Sequence, residues 1–120
     1  MPDLKLSEIM SMQHELQEKN KGKWTPLSVS EGRSCLLWMI EEMGEAIAII
    51  KKRGEKAIMS DSAVREAFIE ELVDVMMFYN DALACYEVTS EELSEAFIKK
   101  HLRNMERDYI AEYKDYLHTK

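Results

Sequence analysis

The spacing of apolar residues along the chain predicts an all-α protein with four helices and a C-terminal tail. Only four glycines and two prolines interrupt the pattern, which favours helix throughout. Thr89 and Glu92 form a capping-box sequence at the start of the fourth helix, and Gly54 is expected to end the second. The helices are predicted at about 5–19, from after Ser30 to Arg53, at about 62–86 and from Thr89 onward, with 54–61 as a polar connection and 109–120 as the tail.

The second and third predicted helices are apolar on more than one side. In each helix, a main apolar stripe is expected to face the core, and acidic residues lie off that stripe beside Trp38 or Phe78. Helices buried on two sides need a second covering surface, so we expect a four-helix arrangement completed by self-association, as a homodimer or a dimer of dimers. The stripes consist of Leu36, Ile40, Met43, Ile47 and Ile50 in the second helix and of Phe68, Leu72, Val75 and Tyr79 in the third.

Two acidic clusters, at 41–45 and 70–74, lie inside these apolar helices. Carboxylates among apolar neighbours are costly to ionise unless a cation or hydrogen-bond donors compensate them. An antiparallel hairpin of the two helices would bring the clusters level with each other, whereas each acid taken singly would fit a solvated face. The candidate ligands Glu42, Glu45, Glu71 and Asp74 all offer oxygen, which favours Mg²⁺ or Mn²⁺ over zinc.

A polar stripe on the fourth helix could serve a phosphate-bearing ligand. Lys100, Asn104 and Arg107 recur at i, i+4 and i+7 and therefore share one face. Lys and Arg beside a hard cation are suited to a polyphosphate, although an ordinary solvated face gives the same pattern.

Three further residues are candidates for a base pocket. Trp24, in the loop before the second helix, could stack on a nucleobase or could pin the loop to the core. Trp38 could line the pocket or an interface. Asn80, beyond Asp74 on the third helix, could read a base edge or could be solvated.

Charge and cysteine content narrow the class of protein. The net charge of −7 argues against non-specific binding to nucleic acid or to an anionic membrane. No apolar stretch reaches about 18 uncharged residues, so no membrane span is expected. Cys35 and Cys85 form no C-x-x-C pair and are expected to be buried, reduced thiols of a cytoplasmic protein. The length predicts a single domain, 1–120, with its core at about 5–108.

The ordered set of these residues resembles the all-α nucleotide pyrophosphohydrolases, the MazG-like family, whose relatives include dimeric dUTPases and dCTP pyrophosphatases. The family pattern E-E-x-x-E appears at 41–45, and E-x-x-D follows at 71–74 after a gap of 25 residues. The later element K-x-x-x-N-x-x-R-x-Y appears as Lys100, Asn104, Arg107 and Tyr109. The similarity covers roughly residues 10–110.

The resemblance implies a Mg²⁺-dependent enzyme that hydrolyses a nucleoside triphosphate to the monophosphate and pyrophosphate. It implies, by motif position, that Glu42, Glu45, Glu71 and Asp74 hold the metal and that Lys100, Asn104 and Arg107 contact phosphates. Glu41 stands at a position that varies among relatives; it would support the ligands or act as the base that orients the attacking water.

Two alternatives remain at the level of sequence, and a third lacks the motif that it needs. A non-enzymatic helical interaction module would need no metal and would tolerate Glu42→Gln and Asp74→Asn. The same fold could act on another pyrophosphate compound, such as phosphoribosyl-ATP. A di-iron bundle would need E-x-x-H motifs, and none occurs in this sequence.

Overall fold

The computed structural model describes residues 2–119, and its regular structure is helical, with no strand among those residues. The all-α prediction is therefore confirmed. The elements are α1 (Leu6–Lys19), α2 (Gly32–Arg53), α3 (Glu55–Ser60), α4 (Ser62–Cys85), α5 (Ser90–Glu106) and α6 (Tyr109–Thr119), with a short 3₁₀ turn at Val29–Glu31 before α2. None of the described helices is long and apolar enough to span a membrane.

The connection between α2 and α4 differs from the prediction because it contains the helix α3. Gly54 ends α2 with a φ of 82°, a conformation that L side chains rarely adopt, and its amide still donates to the Ile50 carbonyl at 2.8 Å. Asp61 then starts α4, since its Oδ1 accepts hydrogen bonds from the amides of Ala63 and Val64 at 3.0 and 3.4 Å. The polar composition of this connection predicted a loop. Gly54 before it and Asp61 after it instead allow a short helix of about one and a half turns.

The contacts group the chain into two compact units, Met1–Thr89 and Ser90–Lys120. The first unit contains α1 to α4. In the second unit, the predicted tail forms the helix α6, whose start is capped by Asp108: its Oδ1 accepts from the amides of Ile110 and Ala111 at 3.1 and 3.0 Å.

In the first unit, α2 and α4 form the antiparallel hairpin that the sequence predicted. The Sγ atoms of Cys35 and Cys85 lie 3.9 Å apart, and the rings of Trp38 and Phe78 are 5.8 Å apart between centroids. Residue numbers that increase along α2 therefore face residue numbers that decrease along α4, which is the pattern of an antiparallel pair. This register agrees with the prediction that an antiparallel hairpin brings the two acidic clusters level with each other.

The buried core of this hairpin is small and centres on the two cysteines. Cys35, Ala82 and Cys85 are buried together, and Leu27 and Trp38 pack against them. Both thiols are free, as predicted, and burial together with the neighbouring Cys85 raises the pKa of Cys35 to about 12. Cys35 is therefore protonated and poorly nucleophilic at neutral pH.

The prediction of which face of α2 is buried within the chain was wrong. The stripe expected to form the core remains 37% to 56% exposed at Leu36, Ile40, Met43 and Ile47. The face turned toward α4 instead carries Cys35, Trp38, Glu42 and Ala46. A helix that is apolar on two sides does not reveal which side its own chain covers, and here the acidic side is the one that faces α4.

Candidate functional site

Three carboxylates converge where α2 faces α4. Glu42 extends from α2, and Glu71 and Asp74 extend from successive turns of α4. One carboxylate oxygen of each residue lies within 4.8 Å of the others, and all three residues are half-buried. This spacing lets a single cation contact all three oxygens after small side-chain rotations.

The electrostatics of the cluster favour a cation. The pKa of the Glu42 carboxyl is raised above its ordinary value because burial disfavours its charged form, and because it shares a hydrogen bond with Glu71. The negative charges of Asp74, Glu71 and Glu45 raise this pKa further. A proton held among these carboxylates relieves their repulsion, and a hard divalent cation would relieve it more completely. The residues therefore fit Mg²⁺ or Mn²⁺ by both donor type and charge.

The other two predicted acids lie around this cluster. Glu45 is exposed and falls outside the group of three converging oxygens, although its charge acts on Glu42. Glu41 is also exposed, and it lines the groove described next. The structure thus brings together three of the four predicted metal ligands and leaves Glu45 at their side.

A groove of about 580 Å³ borders the carboxylate cluster, and Glu42 and Asp74 belong to its wall. It is enclosed by α1, by the loop between α1 and α2, and by the facing sides of α2 and α4. A volume of this size is in the range of small-molecule sites. The groove therefore offers room for an organic ligand in direct reach of two of the clustered acids.

Both tryptophans predicted for a base pocket line this groove. Trp24, in the loop, is 42% exposed and presents an aromatic surface to the cavity. Trp38 is half-buried; its ring meets Phe78 at a tilt of 57° and packs against the cysteine core. Trp38 therefore has a structural role as well as a place in the wall, whereas Trp24 has surface available for stacking.

Asn80 lies away from the groove and is not solvated. It is buried, its Nδ2 donates to the Met76 carbonyl at 2.8 Å, and its Oδ1 has no hydrogen-bond partner among the described residues. It lines a separate small cavity of about 80 Å³ between α1 and the end of α4. Asn80 is six positions beyond Asp74, so it is rotated by about a third of a turn from the face that carries Asp74.

Two groove residues were missed by the sequence analysis. Gln13 of α1 and Asp81 of α4 are buried, and the Gln13 Nε2 donates to the Asp81 Oδ1 at 2.9 Å. Asp81 follows Asp74 by seven residues, or about two helical turns, and so returns to the same face. That spacing was a signal in the sequence, but only the packing of α1 shows that the face is covered.

The predicted phosphate-binding residues belong to the second unit. Lys100 is exposed on α5, and the Asn104 Oδ1 accepts a hydrogen bond from the Tyr109 hydroxyl at 3.0 Å. Arg107 follows the last residue of α5. Its guanidinium donates to both carboxylate oxygens of Glu112, at 2.6 to 3.1 Å, and its Cζ lies 4.5 Å from the Tyr109 ring centroid. Arg107 thus already binds an anionic group of its own chain.

Comparisons of the chain with protein-family models, with curated proteins and with solved structures found no match.

Proposed function

We propose that this protein is a Mg²⁺-dependent nucleoside triphosphate pyrophosphohydrolase, which cleaves its substrate to the monophosphate and pyrophosphate in the cytoplasm. The observation that carries the proposal is the convergence of Glu42, Glu71 and Asp74 within 4.8 Å, at the wall of a groove that also presents Trp24. A hard-cation site beside an aromatic groove suits a ligand that has phosphates at one end and a base at the other. The resemblance of the motifs to the MazG-like family supports the same reaction.

Each residue has a distinct part in this proposal. Glu42, Glu71 and Asp74 hold the cation, and Glu45 adds negative charge or a further ligand. A bound Mg²⁺ supplies neutralisation of phosphate charge and acidification of a coordinated water. Glu41, exposed in the groove wall, orients the attacking water as a base or supports the ligands.

The phosphate contacts are proposed from the resemblance together with the chemistry of the second unit. Lys100, Asn104 and Arg107 would bind phosphate oxygens. Arg107 would exchange the carboxylate of Glu112 for a phosphate, since both are anions that a guanidinium binds through two parallel hydrogen bonds.

We also propose that the chain self-associates, as a homodimer or a dimer of dimers, and so completes a four-helix bundle. The support is the exposed apolar surface of the α2–α4 hairpin, which a soluble monomer would rarely leave open. We call this surface the hairpin face; it consists of one stripe on each helix, and helical spacing places the stripes on the sides of α2 and α4 that are turned away from each other. The stripes are Leu36, Ile40, Met43 and Ile47 of α2 and Ile69, Leu72, Val73 and Met76 of α4, all of which are exposed.

A non-enzymatic interaction module is the second candidate, and the same hairpin face favours it, because a partner helix could be buried there. That role gives no reason to hold Glu42, Glu71 and Asp74 together at a cost in electrostatic repulsion. It predicts that the protein needs no divalent cation and that Glu42→Gln and Asp74→Asn leave its binding activity intact.

The proposal is tested by pyrophosphate release from a panel of ribo- and deoxynucleoside triphosphates, measured with Mg²⁺ and with a chelator. We expect release only with the metal, and the nucleoside monophosphate as the second product. Release of orthophosphate instead would show cleavage at a different bond. If a folded, metal-loaded protein releases nothing from any triphosphate, another pyrophosphate compound such as phosphoribosyl-ATP, or the interaction role, becomes the better explanation.

A further inference from the structure

The groove contains one buried polar pair that the proposed cleavage does not use. Gln13 and Asp81 are 8% and 6% exposed, and they join α1 to α4 through the 2.9 Å hydrogen bond between Nε2 and Oδ1. Both residues line the same groove as Glu42 and Asp74. A helix-to-helix contact made by apolar side chains would avoid the cost of burying a carboxylate, so the presence of Asp81 here calls for a role.

The carboxyl group of Asp81 is held as a hydrogen-bond acceptor. Burial raises its pKa, while side-chain hydrogen bonds from Gln13 and Gln17 oppose that rise by favouring the ionised form. Two carboxamides thus hold one buried carboxylate in the wall of the groove. A carboxamide can turn to present either its oxygen or its amino group, so this arrangement can match a polar ring edge that carries both donors and acceptors.

The position of the pair suits the base of a nucleotide whose phosphates lie at the acidic cluster. Asp81 is seven residues beyond Asp74 on the same face of α4, a distance of about 10 Å along the helix axis. Trp24 and Phe78 line the groove beside it and provide aromatic surface for a flat ring. A ligand that extends along α4 would therefore meet carboxylates at one end and a polar, aromatic-lined site at the other.

We propose that Asp81, held by Gln13, reads the edge of the base and selects a base that carries an exocyclic amino group, cytosine or adenine, over uracil or thymine. The inference rests on the proposed function, because it assigns the base half of the same groove. An amino group donates to the Asp81 carboxylate, as in the usual pairing of Asp or Glu with the N4 amino group of cytosine. Uracil places a carbonyl oxygen at that point, so two acceptors would face each other and both would lose their hydrogen bonds.

The test compares dCTP with dUTP, whose bases differ in the group at position 4, amino or carbonyl, and in the hydrogen that N3 of uracil carries. We expect the unmodified protein to have a kcat/KM about 10- to 100-fold higher for dCTP, the discrimination that one well-placed polar pair provides. ATP and ITP form a second matched pair, in which a carbonyl replaces the 6-amino group. Equal kcat/KM values within both pairs would overturn the inference and leave the proposed hydrolysis standing.

The variant Asp81→Asn separates base selection from a purely structural link between α1 and α4. Its carboxamide can turn an N–H group toward a carbonyl, so the dCTP/dUTP ratio should fall at least about tenfold. A structural link alone predicts that both substrates lose activity equally and that the ratio is unchanged. Asp3→Asn makes the same chemical change at an exposed position away from the groove and should leave the ratio as it is in the unmodified protein.

Failure of the proposed function is recognised separately. If no triphosphate is hydrolysed, binding of dCMP and dUMP to the unmodified protein, measured by calorimetry, decides the inference without reference to catalysis. Tighter binding of dCMP would support Asp81 as a selector of amino-bearing bases. Equal affinities, or tighter binding of dUMP, would overturn it.

Discussion

At the scale of single residues, Glu42 carries the carboxyl group of the candidate site whose ionisation is disfavoured by its surroundings. Its carboxyl lies half-buried against Glu71 and Asp74, and its pKa is raised first by burial and then by those neighbours. Such a residue destabilises the metal-free protein when it ionises, and a cation converts the repulsion into attraction. In the proposed metal site, the same side chain would therefore have opposite effects on stability with and without metal.

Replacing Glu42 by Gln should reverse both effects. Without metal at neutral pH, Glu42→Gln should raise the melting temperature, because one of the repelling charges is removed while the shape is kept. Mg²⁺ should then add less stability to the variant than to the unmodified protein. Thermal unfolding with and without Mg²⁺ measures both changes. A lower melting temperature of the metal-free variant, with the Mg²⁺ response retained, would contradict the cluster as described.

The stability of the metal-free protein should depend on pH through Glu42, in a direction that its raised pKa determines. A carboxyl whose pKa is higher in the folded than in the unfolded state contributes stability below its ordinary value of 4.5, and this contribution is lost as pH rises through the folded pKa. The free energy of unfolding of Glu42→Gln minus that of the unmodified protein should therefore grow as pH increases from roughly 4 to 8. Denaturant unfolding in the presence of a chelator measures this difference. A difference that stays flat over this range would show that Glu42 titrates normally.

At the scale of helices, local sequence signals predicted where most helices begin and end, but they did not predict which face of α2 is buried. The bounds of α1, α2 and α4 follow from apolar periodicity and from residues that act within a few positions of a helix end, such as Gly54. The helix α3 was missed because 54–61 carries no apolar stripe long enough to indicate a helix. The buried face of α2 was assigned wrongly, since Leu36 and Ile40 are as apolar as any core residue and only packing shows what covers them.

The cap at Asp61 gives a test of the α3–α4 junction. Asp61→Ala removes the acceptor for the amides of Ala63 and Val64 and should cost about 1 kcal/mol of stability. Asp61→Asn is the matched control, because Asn caps helices as well as Asp does and should keep most of that stability. Urea unfolding measures both variants. Equal losses for Ala and Asn would indicate that charge, and not the capping hydrogen bond, stabilises the start of α4.

At the scale of the whole molecule, the exposed hairpin face is the observation on which the proposed self-association rests. The apolar residues that the sequence assigned to a core are exposed in the single chain, and under the proposed self-association a second copy would bury them. For the candidate site as well, the sequence alone does not show which side chains are covered by packing. Periodicity and motif spacing predicted the three clustered acids, whereas Gln13 and Asp81 became visible only when α1 was seen packed on α4.

Self-association through the hairpin face is tested by a charge placed within it. Met76→Glu, at a position 50% exposed in the single chain, should shift the protein toward monomer, because a second copy would have to bury the new carboxylate. Met12→Glu makes the same change on α1, at a position that is 56% exposed and outside the hairpin face, and should leave the assembly unchanged. Sedimentation velocity measures the distribution of species. An oligomer that survives Met76→Glu, or that is lost equally with Met12→Glu, would place the contact elsewhere.

The most direct test of the central claim is Mg²⁺-dependent pyrophosphate release by two variants that differ by one position. Glu71 belongs to the converging cluster, whereas its neighbour Glu70 is exposed and lies outside it. We predict that Glu71→Gln loses activity by at least about a hundredfold, as expected for removal of a metal ligand, and that Glu70→Gln keeps it. Equal activity of the two variants, whether both are active or both inactive, would contradict a catalytic metal held by Glu42, Glu71 and Asp74.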